Sequence, residues 1–107
     1  MSEPLVLALV AADVPEHAIG AVRAGFEEEG VPLVVESGTG SGRELARAAA
    51  ARARLGIGIG LDGQGACAVL TAAPAQLYLE ATPEGLRAFA QDAARVAGRR
   101  PLRRPAT

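Results

Sequence analysis

Along the 107 residues, apolar positions fall into runs of two different periods, and each change of period marks a new element. Residues 5–10, Leu-Val-Leu-Ala-Leu-Val, form an unbroken apolar run that predicts a strand covered on both faces, since one wet face would produce alternation. After Asp13 and Pro15 the spacing turns helical. Ile19, Val22 and Phe26 fall on one stripe, and Gly30 stands where a helix-ending glycine belongs. Residues 31–35 predict a second strand, and Ser-Gly-Thr-Gly-Ser-Gly at 37–42 a loop, in which Ser41 can cap an Ala- and Arg-rich helix over about 43–54. A glycine-interrupted strand over 56–61 and its partner over 66–71 flank Asp-Gly-Gln-Gly at 62–65, the pattern of an antiparallel hairpin. A short strand over 76–80 then leads to a last helix. There Thr82 can cap, Pro83 fits the first turn, Glu84 suits the positive pole, and Leu86, Phe89, Ala93 and Val96 form the stripe.

This order predicts an α/β fold: a single-domain layered sandwich of about five strands, with a mixed sheet and helices on both faces. The length suits one core and does not house two. Half of the residues are apolar, yet the only aromatic ones are Phe26, Tyr78 and Phe89, so the core must be built from small, closely approaching elements. The domain is expected over 1–98. Residues 99–107, with Arg99, Arg100, Arg103 and Arg104 among two prolines, read as a flexible or partner-docked tail.

The basic side is entirely arginine and the formal net charge is −1, so bulk attraction to nucleic acid is not predicted. The single cysteine, Cys67, cannot form an internal disulfide and fits a reducing compartment; with neither a secretory segment nor a membrane span in the pattern, a cytoplasmic protein is expected. The loop at 38–42 invites a phosphate-binding reading, but there is no lysine for a Walker-type loop, and Ala11-Ala12-Asp13 stands where a dinucleotide fingerprint needs glycines. Gly56, Gly58 and Gly60 alternate in a strand, as they would against a closely packed helix. His17 lacks companions for a zinc site, Cys67 lies in an apolar run that suits an inert core thiol, and Ser37, Thr39 and Ser41 lack a general base in sequence. Catalysis by this chain alone is not expected, nor is a tightly bound organic cofactor.

Glu27, Glu28 and Glu29 close the first helix, and carboxylates at the negative pole of the backbone dipole cost about 0.3–1 kcal/mol each. At about 100° per residue, Glu28 points roughly 160° away from Phe26, Glu27 points sideways towards Arg23, and Glu29 falls back towards the buried stripe. By this geometry Glu28 alone is aimed outward without a local cation. Such a carboxylate can complete the oxygen shell of Mg²⁺ or Ca²⁺ if another chain supplies most of the ligands. The idea requires that Glu28 be neither buried nor paired with an arginine of its own chain.

The stretch Gly-Phe-Glu-Glu-Glu-Gly-Val-Pro at 25–32, the Leu-Gly-Ile-Gly-Ile run at 55–59 with its hairpin, and Ala-Ala-Arg-Val-Ala-Gly at 93–98 followed by Pro-Leu-Arg at 101–103 resemble the small subunit of the reactivating factor for adenosylcobalamin-dependent diol and glycerol dehydratases. The resemblance implies a non-catalytic subunit, similar in fold to the dehydratase medium subunit. Its implied partners are a reactivase large subunit with an ATPase domain and, during subunit exchange that frees damaged cobalamin, the dehydratase large subunit. It also implies that Glu28, in the middle of the acidic run, helps bind a divalent metal at the interface with the large subunit. No nucleic acid or membrane partner is implied, and the isolated chain is expected to be able to form a homodimer. Two other readings stay open: a medium-subunit-like structural component of a B12-dependent dehydratase, and a small nucleotide-binding α/β domain using the loop at 38–42.

Overall fold

A computed structural model describes residues 3–70 and 77–103, with side-chain surroundings defined except at 70, 77, 78 and 99–103. Five strands form one mixed sheet, β1 (Val6–Val10), β2 (Val34–Ser37), β3 (Ile57–Asp62), β4 (Gly65–Leu70) and β5 (Leu77–Ala81), in the order β2-β1-β3-β4-β5. The pairs β1–β2 and β1–β3 are parallel, whereas β3–β4 and β4–β5 are antiparallel. Helices α1 (Glu16–Glu28) and α3 (Leu86–Arg103) pack on one face, and α2 (Gly42–Arg52) packs on the other. The expected sandwich is therefore the observed one.

β1 is buried along its whole length, as its unbroken apolar run requires. Val6, Ala8 and Val10 point to α1 and α3, while Leu7 and Leu9 point to α2. In β3 the alternation of Ile57, Ile59 and Leu61 with Gly58 and Gly60 separates the faces: the branched residues join the α1–α3 core and the glycines lie under α2. A β-carbon on Gly58 would sit 2.1 Å from the Ala50 amide nitrogen, and one on Gly60 would sit 1.9 Å from the Gly42 carbonyl oxygen. These contacts are with main chain, so α2 approaches the sheet to a distance that only glycine allows.

Local signals set most boundaries. Gly30, at φ 72°, closes α1: its N–H donates to the Glu27 carbonyl at 3.1 Å and the Val31 N–H donates to the Phe26 carbonyl at 3.1 Å, the paired bonds of a Schellman motif. That motif engages Val31, and Pro32 has no N–H to offer a ladder, so β2 starts at Val34 and not at residue 31 as expected. Ser41 caps α2 as expected, and Glu44 completes a capping box. Thr82 does not cap through its side chain. The chain enters α3 through a 3₁₀ turn, Pro83–Gly85, in which the Thr82 carbonyl accepts the Gly85 N–H at 3.0 Å.

The last helix runs to Arg103, past the domain end expected at Gly98. Arg99, Arg100 and Arg103, which read as tail residues, stand in its final turns, where positive charge complements the helix dipole. Among the residues whose side-chain surroundings are described, Ala97 is the last buried one. Residues 71, 76 and 104–107, at the ends of two expected strands and of the expected tail, lie outside the described residues.

Candidate functional site

Two of the three glutamates, Glu28 and Glu29, are paired with side chains of α3. α1 has two packed sides: Val22 and Phe26 face the sheet core, and Gly25 faces α3 so closely that a β-carbon there would lie 2.5 Å from the Ala90 β-carbon and 2.8 Å from the Arg87 carbonyl oxygen. Glu28 follows Gly25 by three residues and so shares its side of the helix. The Glu28 carboxylate is paired with the Arg87 guanidinium through one oxygen and accepts a hydrogen bond from the Gln91 amide through the other. Glu29 is paired with Arg95 at 3.2 Å, and Arg95 also lies 3.9 Å from Asp92. Glu27 is exposed and has no ion pair among the described residues, Arg23 included.

Two expectations are thereby corrected. Glu28 is not an outward carboxylate without a local cation, and Glu29 turns to Arg95 instead of back onto the Val22 and Phe26 stripe. The 160° estimate assumed one buried stripe, whereas a helix between a sheet and a second helix has two. A signal for the second was present: Arg87, Gln91 and Arg95 recur every four residues, one row beside the small residues Ala90 and Ala94. The pairs are modest in energy. The side chains of Glu28 and Arg87 are 35% and 62% exposed, which places the pair in the range of about 0.2–1 kcal/mol, similar to the dipole penalty that it offsets.

At the glycine-rich loop, backbone donors that would cradle a phosphate are already engaged. The Gly42 N–H donates to Asp62 Oδ2 at 2.7 Å, the Ser41 N–H to Glu44 Oε1 at 2.9 Å, and the Glu44 N–H to Ser41 Oγ at 3.2 Å. Two carboxylates at this helix start occupy the place of an anion and repel another. Asp62 also accepts the Gln64 N–H at 2.8 Å, so one side chain ties the hairpin turn to α2. An open cleft of about 520 Å³ beside it is lined by Arg43, Asp62, Gln64, Cys67, Glu80 and Thr82, with Arg43 and Glu80 paired across it at 2.6 Å. Cys67 is buried there, and burial pushes its thiol up, with Glu80 adding to the effect. A second crevice, about 590 Å³, opens where β1 and β2 feed helices on opposite faces; Ala11, Val14, Ile19 and Val35 line it, with Ser37 and Thr39 at its polar side. His17 is exposed. No general base stands among the residues that line the crevice holding the Ser37 and Thr39 hydroxyls, apart from Glu36, which is bound by Arg52 at 3.0 Å. Among the described residues no helix is long and apolar enough to cross a membrane.

A family model described as the dehydratase medium subunit matches residues 3–103. The chain belongs to the dehydratase medium-subunit family. Two chains of known structure share its architecture. A chain of a diol dehydratase-reactivating factor complexed with ADP and Mg²⁺ has 24% identity and a TM-score of 0.71, with 92% of this chain and 94% of that chain covered. A chain of a glycerol dehydratase reactivase has 28% identity and a TM-score of 0.69, with 89% and 92% covered. Among curated proteins none matches.

The metal implied at Glu28 does not fit this geometry as it stands. Both carboxylate oxygens are engaged by Arg87 and Gln91, and among the described residues no group of three or more His, Cys, Asp or Glu could hold an ion. A cation at this position would have to displace both partners and draw its other ligands from elsewhere.

Proposed function

We propose that the chain is the small, non-catalytic subunit of a diol or glycerol dehydratase reactivase. The observation that carries this reading is the near end-to-end likeness to a glycerol dehydratase reactivase chain at 28% identity, within a family named for the dehydratase medium subunit. A chain of one fold with a dehydratase subunit can compete for that subunit's place. In this reading it joins a large subunit that hydrolyses ATP, and the pair acts as a chaperone: the small chain displaces the medium subunit from the dehydratase large subunit, opening a route for damaged cobalamin to leave. Engagement of the loop donors by Asp62 and Glu44 supports placing nucleotide binding in the partner. No step is assigned to a metal at Glu28.

The test is reconstitution. Mixed with an ATPase-type large subunit, the chain should co-elute with it and, with ATP, restore turnover to dehydratase inactivated by a cobalamin lacking the adenosyl group. A complex that forms but leaves the inactive cobalamin bound would reject the chaperone role. The family match itself favours a second reading, a medium-subunit-like component of the dehydratase. That reading predicts dehydratase activity when this chain replaces the medium subunit, with no ATPase partner present.

A further inference from the structure

We infer that Arg87 is the resident counter-ion of Glu28, and that the row Arg87, Gln91 and Arg95 on α3 clasps the acidic end of α1, so that this chain keeps its three-glutamate helix terminus without a divalent cation. Gly25 contacts Ala90, Glu29 pairs with Arg95, and Gly98 lies against Val31, so the two helices advance in the same direction. Their dipoles are then parallel and side by side, and three carboxylates at the α1 terminus add negative charge to a negative pole. Arg87 and Arg95 bring positive charge to that pole from the neighbouring helix. The missing side chain at Gly25 sets the reach: with the Arg87 carbonyl 2.8 Å from where a β-carbon would stand, the backbone of α3 lies against α1 one turn before Glu28. Gln91, one turn after Arg87, takes the second oxygen. Any partner that recruits Glu28 therefore exchanges one positive charge for another and must open this clasp first.

A double-mutant cycle on the full chain tests it, using Glu28→Gln, Arg87→Gln and the two combined. Glutamine is near-isosteric with glutamate and a good helix former at both positions. Arg87→Gln should lower the melting temperature by about 2–5 °C in low salt, Glu28→Gln should change it little because the helix-terminus penalty leaves with the pair, Arg87→Gln should cost nothing further in the Glu28→Gln background, and the Arg87→Gln loss should shrink in 1 M salt. The charge-reversed pair Glu28→Arg with Arg87→Glu should recover most of the loss. Millimolar Mg²⁺ or Ca²⁺ should leave the melting temperature of the unaltered chain in place. Strictly additive effects, or no loss from Arg87→Gln, would overturn the clasp. So would a rise with either ion that Glu28→Gln abolishes.

Discussion

The two faces of the sheet reach dense packing in opposite ways. On the α1–α3 face, bulk fills the space: Phe26, Phe89, Ile57, Ile59, Leu61 and Leu86 are all buried there, and two helices share the load. On the α2 face a single helix suffices because Gly58 and Gly60 remove the side chains beneath it, and Ala46, Ala49 and Ala50 present almost none of their own. The first face depends on side-chain volume and the second on backbone proximity. They should therefore fail differently, the first by loss of atoms and the second by gain. The ends of α2 sharpen the contrast, since they reach the sheet margins through ion pairs: Arg43 to Glu80 on β5 at 2.6 Å, and Arg52 to Glu36 on β2 at 3.0 Å.

The largest effect should come from adding a side chain under α2. Gly60→Val places a β-carbon 1.9 Å from a main-chain carbonyl oxygen that cannot rotate away, so the overpacking cost should exceed the usual 1–3 kcal/mol, at about 4 kcal/mol or more. Urea unfolding followed by circular dichroism should find no cooperative transition, or one shifted far down. A near-normal midpoint would mean that α2 can lift, and the contrast between the faces would collapse. Next comes removal of volume from the opposite face. Phe26 is 1% exposed, and Phe26→Ala should cost about 3–5 kcal/mol with cooperativity retained, read from the same transition.

The smallest effect is a pH dependence from Cys67. Burial among apolar neighbours is the main reason its thiol is raised, so the folded state holds the proton more tightly than the unfolded chain. That contribution is full below the ordinary thiol range and is lost as pH rises through the raised folded value. Urea midpoints compared between about pH 7 and about pH 10 should therefore fall more steeply for the unaltered chain than for Cys67→Ala. Equal slopes would mean that the thiolate is tolerated and that the α2 face is looser than its glycines imply.

Much of the architecture was legible in order, because the signals that place elements are local. The apolar run of β1, the helix-ending glycine at 30, the capping serine at 41 and the hairpin at 62–65 each act through atoms within a few residues of themselves. The alternating glycines of β3 announced a close helix before the helix was known to be α2. Where local rules competed, boundaries moved: the Schellman motif and Pro32 delayed β2, and the 3₁₀ turn displaced the expected Thr82 side-chain cap. The helical continuation to Arg103 followed from arginines that suit a helix terminus as well as they suit a tail.

What the sequence determined by itself was the fold class, the likeness to the reactivase subunits, and the identity of the acidic cluster as a feature needing explanation. Tertiary structure alone decided which charges answer it. Glu28 and Arg87 are far apart in the chain, and helical periodicity reports the direction of a side chain but not what stands there. That depended on α1 and α3 sharing one face of the sheet, and on a glycine at 25 letting them approach until carboxylate and guanidinium met.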